Sequence, residues 1–396
     1  MRRRNGKSSL GFTLLEMMIA LSIGLIVIGS AVQLFSQGVD ATWVISQKAE
    51  MQQNLRAASD LMLKDISLAG AGLPTEQGIA LPTGTGIKSV YGCDQGGNCI
   101  PGGAVAYPVA PTTATPMMYP IIPGYQLGIK PPGGNVTSDL ITVVYSDPVL
   151  ALGNCYTITW PTGVTPVQFK APTVNPPPAS CVLPPGITFP QSLTDNVVGL
   201  KAGDILLFTQ GAKQAAAEVT GVTPVNIQGA APLGQIYQVS FANGDPLKLN
   251  QHTATAGDLQ QLVGGANTSV TRIYVTTYYL RNQPDPLGVG NGTPVLMRQV
   301  NGQPAIPVAE NVVNLQFTYD TYDTSGNLLS AQGDGGYSAG VSYNFIRKIN
   351  VAHLTMRSQL AGVRTALRLT QGFQTFDFQT SLSARNSAYQ NRYSFN

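Results

Sequence analysis

Charge is scarce in this chain. Asp, Glu, Lys and Arg make up 11% of its 396 residues, and four of the basic ones, Arg2, Arg3, Arg4 and Lys7, precede Gly11. Without those four the formal charge of +3 becomes −1. A nucleic-acid binder needs a clustered basic face, so no such partner is expected. Histidine is scarcer still: His252 and His353 are distant in sequence, and no Cys-x-x-Cys pair accompanies them. Structural zinc sites draw on closely spaced Cys and His; neither a metal nor any other cofactor is expected. Neither histidine has a recognisable partner in the sequence.

Proline is absent from Thr13 to Ala69, although the chain holds 28 prolines and 43 glycines. One uninterrupted helix over that stretch would be about 85 Å long at the α-helical rise. Its first part is apolar from Met17 to Val32, and between Phe12 and Phe35 the one charged side chain is Glu16. A run of about 20 apolar residues is what a bilayer core asks of a helix. A carboxylate near its start is costly there, roughly 2.5–3.5 kcal/mol on insertion scales, and requires a partner or a function. The second part is amphipathic: Val44, Met51, Leu55, Ala58, Met62, Ile66 and Ala69 keep the helical period, with Gln53, Asp60 and Lys64 on the other side. Asp60 and Lys64 stand one turn apart as an acid-before-base pair. Gly70-Ala71-Gly72-Leu73-Pro74 is a stop signal.

The basic segment, the sequence Gly11-Phe12-Thr13-Leu14-Leu15-Glu16 and the apolar run together resemble the amino terminus of type IV prepilins and type II secretion pseudopilins. The resemblance implies cleavage between Gly11 and Phe12 by a prepilin peptidase, N-methylation of Phe12, and a role for Glu16 in assembly. It also implies other pilins as partners, through helix–helix contacts in a filament core, and the inner membrane as the site before assembly. Two blander readings compete. Gly29-Ser30-Ala31 offers an ordinary signal-peptidase site, but that reading leaves Glu16 unexplained. A plain signal anchor predicts no processing. In each case the basic residues keep the first end cytoplasmic and the rest outside, ending in a pilus or periplasmic pseudopilus if the resemblance holds.

Beyond the helix the composition is that of a turn-rich β protein, with 16 tyrosines and many Thr and Val. The expected fold is α+β and pilin-like: a long helix on an antiparallel sheet with loop-rich insertions. The expected divisions are 1–11 leader, 12–35 membrane half, 36–73 amphipathic half, 74–190 Gly/Pro-rich region and 191–396 β-rich head. Strand signals fall at Leu140 to Tyr145, Tyr156 to Trp160, Ile205 to Thr209, Ile236 to Phe241, Val270 to Leu280, Val312 to Tyr319, Ile346 to Met356 and Phe376 to Leu382. Cys93, Cys99, Cys155 and Cys181 all lie in this exported portion, where disulfides persist. Four cysteines allow three pairings; Cys93–Cys99 and Cys155–Cys181 are favoured because each closes a loop within one Gly/Pro-rich segment.

The run Asn311-Val312-Val313-Asn314-Leu315-Gln316-Phe317-Thr318-Tyr319, the late strands ending at Arg385-Asn386, and Asp65 to Gly70 in the helix resemble minor pilins of the PilW type. A proline usual in the first half of major-pilin helices is missing, and a head of this size is similar to that of a minor pilin. A type II secretion pseudopilin is the alternative within the same architecture, and a filament-tip adhesin with a ligand-binding head is the alternative of a different class. Enzymatic signals are weak. Gly336-Tyr337-Ser338-Ala339-Gly340 matches a nucleophile elbow, but neither the preceding strand nor the acid-then-histidine order fits. Gly6-Lys7-Ser8 lacks the earlier glycine of a P-loop. Asp320, Asp323 and Asp334 flank a loop that could hold calcium without the EF-hand spacing.

Overall fold

The computed structural model describes residues 11–73, 78–82, 84, 117–132, 134–147, 150, 152, 155–161, 163–173, 179, 181, 192–225, 234–253, 255–265, 267–284, 292–322, 327–332, 346–357 and 375–384. The architecture is α+β: one long amino-terminal helix followed by antiparallel sheets. By internal contacts the chain divides near Gln53 into two units.

The helix α1 spans Leu14–Ser67, 54 residues. In the first unit none of the described side chains from Leu14 to Glu50 is buried. Leu, Ile, Met, Val and Phe stand exposed on all sides as far as Phe35, which suits a membrane or a bundle of neighbouring helices and not water. The stretch is long and apolar enough to cross a bilayer. In the second unit the helix buries Leu55, Ala58, Met62 and Ile66 on one stripe, while Asp60 and Lys64 face solvent. Tighter bonds, Leu68 N to Asp65 O and Ala69 N to Ile66 O at 3.1 Å each, close its last turn. Gly70 and Gly72 then reverse the chain at φ of +78° and +65°. At Gly72 any Cβ would collide with Ser146 Oγ, so glycine is needed there for space as well as for conformation.

The strands among the described residues are, in chain order, β1 (Ile79–Ala80), β2 (Met117–Met118), β3 (Ile121–Gly124), β4 (Leu140–Ser146), β5 (Thr157–Thr159), β6 (Val167–Lys170), β7 (Ile205–Gln210), β8 (Lys213–Glu218), β9 (Gly221–Pro224) and β10 (Ile236–Ser240). They continue with β11 (Ser269–Gln283), β12 (Thr293–Val300), β13 (Ile306–Glu310), β14 (Val312–Tyr322), β15 (Leu328–Gln332), β16 (Ile346–Arg357) and β17 (Thr375–Ser383). The largest sheet runs β13-β12-β11-β4-β3, with β7 also paired to β11 and β8 to β7. A second sheet runs β5-β6-β10-β9, a third β15-β14-β16-β17, and β1 pairs with β2.

The sheets cross the division drawn at residue 190. Strands β3 and β4 lie in one sheet with β11 and β12, and β6 pairs with β10 from Ile236↔Lys170 to Val239↔Val167. Gly and Pro density reports where loops are, not which strands pair. The hairpin β7–β8 shows how the core is built. Leu206, Phe208, Ala215 and Ala217 belong to one apolar cluster, whereas Ile205, Leu207 and Ala216 belong to another. Alternation along these strands therefore serves two cores, one on each face.

Candidate functional site: the amino terminus of the helix

Gly11, Phe12 and Thr13 are exposed and stand outside α1, which begins at Leu14. Thr13 and Glu16 stop the helix from running further back. Thr13 Oγ1 accepts from Glu16 N at 3.3 Å, and Thr13 N donates to Glu16 Oε2 at 3.0 Å. Thr13 Oγ1 also donates to the same carboxylate oxygen at 3.0 Å. This is a reciprocal capping box, which satisfies two backbone donors that a helix start leaves unpaired. The carboxylate also sits where the helix dipole favours negative charge. Glu16 therefore has an internal partner at the edge of an apolar span, and the Gly11–Phe12 bond lies in non-helical chain just upstream. The Thr-x-x-Glu spacing signals this box in the sequence; reading Glu16 only against partners outside the chain missed it.

A second polar site lies in the second unit, at the end of α1. Asp65 is 4% exposed, and its Oδ2 accepts from Arg298 Nε at 2.6 Å and Tyr278 OH at 2.7 Å. Tyr278 and Arg298 are cross-strand neighbours on β11 and β12. Burial, followed by the Asp65 carboxylate, pushes the Tyr278 phenol above its ordinary range, so it stays a donor. Asp65 thereby fixes the last helical turn to the central sheet. Further along β11, Arg272 binds Asp147, also reaching Gly199 O at 2.8 Å and Asp204 at 3.4 Å.

The other expected residues fare differently. A disulfide joins Cys155 and Cys181, with Cα atoms 4.5 Å apart; Cys93 and Cys99 lie outside the described residues. Of the three calcium candidates, Asp323 and Asp334 lie outside them too. Asp320 is described, with Lys348 Nζ at 3.4 Å and an Asn350 amide bond at 3.3 Å. The loop Gly336 to Gly340, Arg385, Asn386 and the basic segment before Gly11 also lie outside. Both histidines do have partners, contrary to expectation. His353 Nδ1 lies 2.8 Å from Asp377 Oδ2, and His252 Nε2 lies 2.8 Å from Phe241 O. The β16–β17 register, which sets Thr355 opposite Asp377, brings together residues that are far apart in sequence. Burial works against the Asp377 charge, but hydrogen bonds from Thr355, Gln379 and His353 hold its carboxyl below the usual range.

Residues 6–32 match the family described as the prokaryotic N-terminal methylation motif. The matched stretch contains Gly11, Phe12, the capping box and most of the apolar run, and it supports a type IV pilin-like or pseudopilin-like protein. No curated protein and no solved structure matches the chain.

Proposed function

We propose that this protein is a minor pilin of the PilW type, whose work is the assembly of a type IV pilus and not catalysis. It enters the inner membrane as a single-pass precursor with its head outside the cytoplasm. Prepilin peptidase then cuts between Gly11 and Phe12, and the new amine of Phe12 is methylated. The observation that carries this reading is the methylation motif on a helix that starts directly after the cut and exposes apolar side chains all round. In the filament Glu16 leaves its capping box for the amino terminus of Phe12 in another subunit. Either charge alone is costly in an apolar core, and a correctly registered pair offsets much of that cost. Gly24, Gly29 and Gly38 carry no side chain and so let the backbones of neighbouring helices approach closely.

Counting pili on cells that carry Glu16→Ala tests the mechanism. The variant inserts and is cleaved normally, while piliation falls by roughly 100-fold, since one charge of a buried pair is left alone. Normal piliation at normal protein level refutes it. A type II secretion pseudopilin shares every feature at this terminus; loss of protein secretion without loss of pili would identify one. A tip adhesin draws on a different observation, a cleft of about 430 Å³ lined by Thr194, Lys201, Arg272, Tyr274, Arg298 and Asn301 among others. Loss of attachment with normal piliation would favour it.

A further inference from the structure

Past the apolar run that ends at Phe35, the exposed side of α1 does not turn fully polar. Trp43 is 54% exposed, and Val39, one turn before it on the same face, is 38% exposed. In an α-helix each Cα–Cβ bond tilts toward the amino terminus. The Trp43 side chain therefore leans back over the turn that holds Val39, toward the apolar run.

The charges bracket where a bilayer can sit. Glu16 and Asp40 bound an uncharged stretch from Met17 to Val39, about 34 Å of helix at the α-helical rise. A hydrocarbon layer about 30 Å thick fits between the two acids, centred near Ile28, with both outside it. Moving the layer back to cover Leu14 would bury Glu16, and an acid is costly in hydrocarbon. Hydroxyls along the stretch are satisfied within the helix. Ser22 Oγ donates to Met18 O, Ser30 Oγ to Ile26 O and Thr42 Oγ1 to Gly38 O, each at 2.8 Å.

With the layer so placed, the Cα of Trp43 stands about 22 Å from the mid-plane. That is the outer edge of the headgroup region, since core and headgroups together span about 40–45 Å. The backward lean of the side chain carries the indole into that region. Tryptophan is enriched at this level because its ring is apolar while its N–H keeps a polar partner. On the other side Leu14, where the helix begins, stands about 21 Å from the mid-plane, which leaves the Gly11–Phe12 bond at the inner surface.

We propose, on the reading of the first half of α1 as a membrane span before assembly, that Trp43 and Val39 rest in the outer headgroup layer and end the span on that side. The occupant of this exposed face is lipid, because the face continues the apolar run without a break in the helix.

The test places the full chain in vesicles of phosphatidylethanolamine and phosphatidylglycerol that carry a nitroxide on the headgroup, at mid-chain or at the chain end. The chain has two tryptophans. Trp160→Phe keeps an aromatic ring against Phe208 and leaves Trp43 as the sole emitter. Its emission is lost most with the headgroup label and least with the chain-end label. Leu25→Trp, in a chain that also carries Trp43→Phe and Trp160→Phe, shows the reverse order, because Leu25 lies close to the mid-plane. In the wild type labelled with fluorotryptophan, the headgroup nitroxide broadens one of the two fluorine signals, a reading that needs no variant. Trp43 emission open to iodide and untouched by every lipid label puts Trp43 in water and overturns the proposal. Emission shielded from iodide yet untouched by lipid labels also overturns it, and assigns the face to a second copy of the chain. Greatest loss with the chain-end label overturns it as well, since Trp43 then lies in hydrocarbon. In these three outcomes a quenched Leu25→Trp leaves the membrane span standing; a Leu25→Trp that no label reaches overturns the span and the proposal together.

Discussion

Glu16 and Thr13 form a closed pair in the single subunit, each satisfying a group on the other. That pairing accounts for a carboxylate at the edge of the apolar run before any other subunit arrives. Under the proposed function, assembly is then an exchange of partners: the bonds to Thr13 are given up for a charge on another chain. Thr13→Val keeps the side-chain shape and removes the cap. Losing an N-cap of this type costs about 1 kcal/mol of helix stability, and the freed carboxylate is left without its internal partner. We expect Thr13→Val to insert less efficiently and to be cut more slowly, with Thr13→Ser restoring both; pulse-chase of precursor and mature forms measures this. Asp65 is the corresponding residue at the other end of the helix. Asp65→Ala strands the Arg298 guanidinium in a largely buried position, and breaking such a pair costs about 3–5 kcal/mol. Chemical denaturation of the full chain in micelles should show that loss, and the smaller change Asp65→Asn should show less of it.

At the level of elements, β8 carries the clearest packing prediction. Its Lys213-Gln214-Ala215-Ala216-Ala217-Glu218 sequence has the residues of a good helix former, yet it is a strand. The three alanines are fully buried, Ala215 and Ala217 in one apolar cluster and Ala216 in the other. Ala216→Leu should therefore destabilise the second unit by about 1–3 kcal/mol through overpacking, seen as a lower denaturation midpoint. The same strand shows where reading the sequence stops. Long runs of Val, Tyr and Thr, as in β11 and β14, and the helix with its Gly70 stop announce themselves, because their local preference and their final environment agree. Strand β8 does not, since tertiary packing overrides its propensity. Nor do the ion pairs Arg298–Asp65 and Arg272–Asp147, whose partners lie 233 and 125 residues apart. At the helix start everything needed lies within six residues, and the site is legible.

For the whole molecule, the governing contrast is between a helical first unit that exposes apolar side chains to its surroundings and a second unit that buries its own. From Leu14 to Phe35 the helix exposes apolar side chains on all sides, which suits a bilayer or neighbouring helices and not water. Under the proposed function, processing at the right bond permits transfer from membrane to filament, since the basic segment before Gly11 would anchor that end at the cytoplasmic face. Mass spectrometry of the mature protein should show a chain that begins at Phe12 and carries one methyl group on its amine. A chain that begins at Val32 would mean cleavage at Gly29-Ser30-Ala31, loss of Glu16 and of the apolar helix, and a freely exported head; that result would sink the pilin reading. An uncut chain would mean a plain anchor. Replacing Gly11 by a bulky residue should leave full-length precursor in the inner membrane with the head still folded outside. The capping box would remain intact in that precursor, because Thr13 and Glu16 lie downstream of the cut. A Gly11 variant that accumulates uncut, spans the membrane and never enters pili would separate processing from insertion and place the defect at assembly.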